Sequence, residues 1–253
     1  MADDATRPVP RVRATRATRG RLGAPRGSVG AVAVSVPNPW LSWDYVRDNW
    51  GDITTALNQH VSLTAQAIGI AALVALPLAV LAYGRPRLAG TVLGVTGALY
   101  TIPSLALFAV LYPMLRDRRV TVLVGLVMYA LLVLVRNILV GLQGVDPAVT
   151  DAARGLGYGP GRLLLTVQLP NALPAVITGL RLATVTTVAL VTVGVVVGYG
   201  GLGQLMYRGF NSQYRAEITT ATLLTLAVAL TADVALWLTG RLVMPWARAG
   251  AVR

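Results

Sequence analysis

Long uncharged runs of apolar residues dominate the chain after residue 60. A helix of about 20 predominantly apolar residues is needed to cross a lipid bilayer, and a helix satisfies its own backbone hydrogen bonds in lipid. Five runs reach that length, so the pattern predicts an all-α, polytopic membrane protein. The predicted spans cover residues 61–83, 90–115, 120–142, 175–197 and 218–240.

The segments outside these runs have a different character. Residues 1–39 combine seven Arg with Thr, Pro, Gly and Ala, which predicts a disordered tail that is solvated or contacts anionic lipid or nucleic acid. Residues 40–60 mix Trp and Tyr with Asp and Arg, which favours a helix lying at the membrane surface over an ordinary loop. His60, the only histidine, is expected at that interface, and residues 244–253 form a short C-terminal tail.

Composition excludes most covalent chemistry. Only 13% of the 253 residues are charged, and the 22 basic residues are all Arg. The chain has no Cys, one His and one Glu, which leaves no material for a disulfide, a zinc site or an acid–base pair in an intramembrane enzyme. The sequence therefore predicts neither a catalytic residue nor a metal site. A membrane anchor with a basic nucleic-acid-binding tail is a further alternative.

A Gly- and Pro-rich segment, residues 144–174, separates the third predicted span from the fourth. Asp146 followed by Pro147 is typical of a helix N-terminus, and the glycines within residues 157–161 predict a break. A second short helix is predicted over residues 162–169, ended by Pro170. Two short helices joined by a glycine turn predict a compact protrusion that docks into a groove on another protein.

This segment resembles the EAA motif of permease subunits of bacterial ATP-binding cassette importers. The motif reads Glu-Ala-Ala, three residues, Gly, nine residues, Ile, one residue, and Leu-Pro, and here Asp replaces Glu and Val replaces Ile. The resemblance implies that the segment couples the chain to an ATPase. The coupling residues expected on this basis are Asp151, Ala152, Ala153, Arg154, Gly155, Gly157, Val167, Leu169 and Pro170.

Further segments resemble the permeases for osmoprotectants, which import glycine betaine, choline, carnitine or proline betaine. These segments are TIPSLAL (101–107), RN (136–137), GVDP (144–147), LPNALPAVITGLR (169–181) and YGGLG (199–203). A permease for another solute, such as methionine, is the alternative. The glycine-rich turn at 199–203 is expected to be an external gate, a seat for a binding protein or a plain loop.

The resemblance implies the type I importer permease fold, with about five transmembrane helices and a cytoplasmic coupling helix. Its expected partners are a second permease subunit, alike or different, a cytoplasmic ABC ATPase dimer, an extracytoplasmic substrate-binding protein and the lipid bilayer, but not nucleic acid. ATP and Mg would be bound by the ATPase, because this chain has no Walker A pattern and no Lys to complete one. The expected location is the bacterial cell membrane.

Charge gives an independent indication of orientation. If the coupling segment is cytoplasmic, nine Arg lie on the cytoplasmic side and five lie in the two later external loops, in agreement with the positive-inside rule. The seven Arg of the tail would then be external. A sixth span near residues 28–50 would instead keep the tail inside, although its prolines and charges argue against it.

A quaternary ammonium group donates no hydrogen bonds, and aromatic ring faces are its natural partners. The interior of the chain offers tyrosines and a polar kink for this purpose, although Tyr also anchors spans at the interface. The candidate pathway residues are Tyr100, Thr101, Pro103, Ser104, Tyr129 and Tyr199.

Asp233 is the acid well inside a predicted span. Charges within a membrane are generally paired, so we expect an ion pair with Arg136 or Arg181 of structural rather than catalytic importance, a wet groove being the alternative. Asn137, beside Arg136, is assigned to the same structural group.

Overall fold

The computed structural model describes residues 38–245, and within that range the chain forms helices and turns without a strand. The all-α prediction is confirmed for this part. The predicted tail, apart from Asn38 and Pro39, and residues 246–253 lie outside the described residues. The helices are α1 (Trp43–Asp48), α2 (Trp50–Ala82), α3 (Pro86–Thr101), α4 (Ser104–Leu115), α5 (Arg118–Gln143), α6 (Pro147–Gly155), α7 (Pro160–Leu163), α8 (Leu169–Val193), α9 (Leu202–Asn211) and α10 (Arg215–Val243).

Four helical stretches among the described residues are long and apolar enough to cross a membrane: α2, α5, the stretch Pro160–Val197 and α10. The pair α3 and α4 makes a fifth candidate if the two are taken as one broken span. This agrees with the predicted count of about five. The bounds of three spans differ from those predicted, each for an identifiable reason.

The first span begins earlier than predicted. Helix α2 runs without interruption from Trp50, so residues 50–60 belong to the long helix and not to a separate surface segment. Ile53, Ala56 and His60 are buried on one face of this extension, and that packing continues the helix beyond the apolar run. His60 is therefore buried within the helix bundle and is not exposed on a surface helix.

The second span is broken. Helices α3 and α4 meet at 96°, with Ile102 and Pro103 between them. Proline has no N–H to continue the helix, and it disfavours helical geometry in the residue before it. The kink expected around Thr101 and Ser104 is thus a sharp bend, and residues 90–115 do not form one straight helix.

The fourth span begins well before residue 175, because the second short helix predicted over residues 162–169 is part of it. Helix α7, a π-helical turn (Leu164–Gln168), α8 and a 3₁₀ turn (Gly194–Val197) form one continuous stretch. Pro170 does not end it. The wider π turn immediately before this proline relaxes the hydrogen-bond register, and the Asn171 side chain donates to the carbonyl of Val167 at 2.7 Å.

The centre of the bundle is a close packing of α2, α5 and α8. Small side chains on one face of α2, Ala71, Ala75, Ala79 and Ala82, pack in the same cluster as the large aliphatic residues of α5, an arrangement that allows helices to approach closely in lipid. Gly179 of α8 faces Asn137 of α5, and a Cβ on this glycine would lie 2.4 Å from the Cβ of Asn137. Asn137 itself is only part-buried and donates to the carbonyl of Val133 at 2.8 Å.

Candidate coupling segment and solute pathway

The protruding segment between α5 and α8 is built as its capping residues predict. The side chain of Asp146 accepts a hydrogen bond from the backbone N–H of Ala148 at 2.8 Å, and Pro147 occupies the first helical position. The helix α6 ends before Gly157, whose φ of +83° is readily adopted only by glycine. We call residues 146–163 the elbow.

One side of the elbow rests on the bundle and the other is free among the described residues. Thr150 and Ala153 are buried, and α6 packs against α7 and the π turn. Asp151 and Arg154 are exposed and form an ion pair of 3.2 Å on the outer side. Ala152 and Gly155 are exposed there as well. An ion pair at this exposure contributes little stability, so the outer side of α6 is chemically available to a partner.

The second half of the predicted coupling motif lies elsewhere. Val167, Leu169 and Pro170 are half-buried at the base of the long Pro160–Val197 stretch, not on the protrusion. The motif therefore spans two elements, an exposed helix and the root of a membrane span. Only the short turn Leu156–Gly159 separates α6 from that span.

Sequence reasoning missed Gln168, which lies between Val167 and Leu169 and is buried. Its side-chain amide donates to the hydroxyl of Tyr83 at 3.0 Å, at the end of α2. As a polar residue within an otherwise apolar run, Gln168 could have been noticed in the sequence. Its partner could not, because Tyr83 lies 85 positions away. The contact ties the root of the fourth span to the first span.

The break between α3 and α4 borders a cavity of about 420 Å³. Five of the six predicted pathway residues line it: Tyr100, Thr101, Pro103, Ser104 and Tyr129. Ile102 from the break and Thr186, Ala189 and Leu190 from α8 complete the wall, and sequence reasoning missed these four.

Tyr199 is not part of this wall. It follows the 3₁₀ turn, where its backbone N–H donates to the carbonyl of Gly194 at 3.1 Å. Its side chain packs against a separate cluster that includes Leu63 and Phe108. The structure thus places this tyrosine in the interior packing near the glycine-rich turn.

Two aromatic rings meet at the cavity. Tyr100 and Tyr129 lie edge to face, with ring centroids 5.6 Å apart, and the Tyr129 hydroxyl donates to the carbonyl of Ile102. Tyr129 is buried, whereas the Tyr100 side chain is 41% exposed. The hydroxyl contact fixes the break against α5, and the accessible Tyr100 remains available to a ligand.

Asp233 lies against Arg181, one of the two partners expected for it. Two parallel hydrogen bonds of 2.8 Å join the guanidinium to both carboxylate oxygens. Both side chains are about one third exposed. The other candidate, Arg136, is exposed. The charged pair therefore links α8 to α10.

A second charged group, which sequence reasoning missed, lies at the opposite end of the bundle from the elbow. Arg208 of α9 contacts Glu217 at 2.5 Å and Asp52 at 2.9 Å, joining α9 to α10 and α2. The hydrogen bonds that Arg208 donates to these two carboxylates, first to Glu217 and then to Asp52, raise the pKa of Arg208 further above its usual range. Burial and the charge of Glu217 raise the pKa of nearby Tyr45 to about 12.

The glycine-rich turn is held against α2 at this same end. Gly201 has a φ of +53°, and a Cβ there would lie 2.7 Å from the Cβ of His60. His60 is fully buried, with its Nε2 3.1 Å from the carbonyl oxygen of Val188. Glycine is required at position 201 both by the backbone geometry and by the close approach.

Comparison with known proteins identifies this architecture. Residues 67–244 match the family described as binding-protein-dependent transport system inner membrane component. The chain is 34% identical to the carnitine transport permease protein OpuCB of Listeria monocytogenes over 176 residues, which cover 69% of this chain and 79% of that protein. It is also 34% identical to the osmoprotectant import permease protein OsmW of Salmonella typhimurium over 203 residues, covering 78% and 93%.

The fold has been seen before in solved transporters. An inward-facing structure of the MetNI methionine ABC transporter superposes with a TM-score of 0.69 at 24% identity, covering 76% of this chain and 95% of that one. At this identity the likeness concerns the fold alone. With the family match over most of the chain, it establishes a multi-pass membrane protein: the chain belongs to the binding-protein-dependent transport system inner membrane component family, the permease subunits of ABC importers.

Proposed function

We propose that this permease carries quaternary-amine osmoprotectants, such as glycine betaine, choline, carnitine or proline betaine, into the cell across the bacterial plasma membrane. The observation that carries the proposal is its similarity to permeases named for carnitine, choline and osmoprotectant transport. The methionine transporter shares the fold at lower identity, so it supports the architecture without favouring methionine as the solute.

The elbow is the proposed seat of the ATPase. Its outer side combines the Asp151–Arg154 ion pair with exposed apolar residues, Val149 and Leu156, the latter 79% exposed. Apolar contacts rimmed by charge are typical of protein interfaces. ATP and Mg bind in that partner, and closure of an ATPase dimer moves α6 and, with it, the base of the fourth span.

Two further partners, a substrate-binding protein and a second permease, follow from the assignment of this chain as an importer permease. A substrate-binding protein delivers the solute at the end of the bundle that carries α9, opposite the elbow. A second permease, alike or different, completes the path. Helix α10 supports this pairing, since only 6% of its most apolar window is buried within the chain and a row of large residues, Leu223, Leu226 and Leu230, is exposed on it.

Uptake measurements test the solute. In cells lacking other osmoprotectant importers, expression of this chain with its ATPase and binding protein should restore uptake of radiolabelled glycine betaine or choline, and unlabelled methionine in excess should not compete. Competition by methionine, or methionine uptake without betaine uptake, would reassign the solute to the amino-acid class.

A matched pair of variants tests the seat of the ATPase. Leu156→Asp places a charge on an apolar contact and should lower uptake about five- to thirtyfold, since losing one interface anchor costs about 1–2 kcal/mol. Leu156→Met keeps the surface apolar and should retain uptake within twofold. Because Leu156 is exposed, both variants should reach the membrane in normal amount. Equal uptake by the two variants would place the ATPase elsewhere.

A further inference from the structure

Among the described residues, those that line the cavity at the α3–α4 break include no charged side chain. Its polar side chains are those of Thr101, Ser104, Thr186 and the two tyrosines. A fixed carboxylate would hold a cation tightly, whereas neutral groups hold it weakly enough to let it leave, as conduction requires. The lining therefore suits a solute in transit.

The broken helix places the C-terminal end of α3 on the cavity wall, next to the N-terminal end of α4. The last carbonyls of a helix have no intrahelical donor, and the helix dipole places partial negative charge at its C-terminus. Helix α3 ends at Thr101, directly on the cavity wall. Discontinuous membrane helices present such C-terminal ends to cations near the bilayer midplane.

Depth distinguishes these tyrosines from interfacial anchors. Tyr129 lies near the middle of α5, which runs from Arg118 to Gln143, and it meets Tyr100 at the end of α3, far from the start of that helix at Pro86. Aromatic belts lie at the two membrane surfaces. An edge-to-face tyrosine pair deep in the bundle, beside an open cavity, is better suited to contacting a ligand.

We propose that this cavity is a transient binding site for the quaternary ammonium group of the solute, formed by the Tyr100 and Tyr129 rings and the C-terminal end of α3. The proposal rests on the proposed function for the identity of the natural solute. Methylated ammonium offers no hydrogen-bond donors, so ring faces and a partial negative charge meet its needs without an ion pair.

Cysteine protection tests the site without relying on transport. The chain has no Cys, so Thr101→Cys gives this subunit a single thiol on the cavity wall, and Thr55→Cys gives a control on exposed α2. In the assembled complex, tetramethylammonium should slow modification of Thr101→Cys by a small thiol reagent at least threefold. The neutral molecule tert-butanol, of similar shape, should not slow it, and neither compound should affect Thr55→Cys.

Adding Tyr100→Leu to the Thr101→Cys background should abolish the protection, and adding Tyr100→Phe should preserve it. Equal protection by tert-butanol would show an apolar pocket rather than a cation site. Failure of Thr101→Cys to react in both nucleotide-free and ATP-bound complexes would show that the cavity is closed to water. Either result overturns the proposal.

Transport supplies the second measurement. At saturating betaine, Tyr100→Leu should lower the maximal uptake rate about three- to tenfold, the effect of losing one cation–π contact. Tyr112→Leu, on α4 and outside the cavity lining, is the matched control and should stay within twofold of the unmodified chain. If the unmodified complex carries no quaternary amine, the proposed solute is wrong, and the protection assay still decides the chemistry of the cavity.

Discussion

The charged pair of α8 and α10 shows how one side-chain contact fixes the relation of two helices. Arg181 meets Asp233 through two hydrogen bonds of 2.8 Å, and such forked geometry adds orientation as well as energy. In lipid, either partner alone is an unpaired charge. The pair therefore specifies how α10 lies against α8.

Charge reversal tests this contact. Asp233→Asn should lower the thermal midpoint of the detergent-purified complex by several degrees and reduce uptake, because Arg181 loses its counter-ion. The exchange Arg181→Asp with Asp233→Arg should recover much of both. Arg136→Gln, which touches no part of the pair, serves as the control and should change neither.

The close approach of α8 to α5 at Gly179 can be tested with a single substitution. Gly179→Ala forces a Cβ into Asn137, so it should destabilise the chain by about 1–3 kcal/mol, as overpacking typically does. Gly97→Ala, in a helix with open space around the new methyl group, should be neutral or slightly stabilising. Thermal unfolding of the two purified variants measures the difference, and equal midpoints would contradict the packing of α5 on α8.

Among the helices, the stretch from Pro160 to Val197 shows what the sequence could and could not predict. Its apolar core is long enough to predict a span, but the local pattern predicts that a helix ends at Pro170. The π turn before this proline depends on the surrounding packing, which a local pattern does not contain. At Pro103 the sequence predicts a kink, because the proline acts locally, but not the 96° bend between α3 and α4.

Contacts between segments that are distant in the sequence could not be predicted either, because they also depend on the packing of the whole chain. Gln168 meets Tyr83 across 85 positions, and Arg208 meets Asp52 across 156. By contrast, the elbow helix was predicted from Asp146, Pro147 and Gly157, whose effects are confined to their own turns. The cavity lies between these cases: residues on α3, α4 and α5 were singled out individually, but their meeting with Thr186 of α8 depends on the fold.

The link between Gln168 and Tyr83 predicts a coupling defect. Gln168→Leu removes the hydrogen bond that ties the root of the fourth span to α2, so uptake should fall severalfold while ATP hydrolysis by the complex continues. Tyr83→Phe should have the same effect, and the double variant should be no worse than either single one. Additive losses in the double variant would show that the two residues act separately.

At the scale of the whole molecule, the two ends of the helix bundle carry different structural elements. One end carries the elbow, and the other carries α9, the glycine-rich turn and the Arg208 cluster. The positive-inside count favours a cytoplasmic elbow, which the proposed ATPase seat requires.

Sided labelling checks that orientation. A membrane-impermeant thiol reagent applied to intact cells or spheroplasts should modify Thr55→Cys, near the α9 end, but not Gly155→Cys on the elbow. Permeabilisation should expose Gly155→Cys. The reverse pattern would invert the topology and remove the elbow from reach of any cytoplasmic ATPase.

The uninterrupted helical stretch from Pro160 to Val197 connects the two sides of the membrane through one element. Its 38 residues span about 57 Å at 1.5 Å per residue, enough to reach from one aqueous compartment to the other. If the ATPase displaces the root of this stretch, as proposed, a single element links the two faces of the membrane, and we expect the turn at Gly198 to move with the elbow.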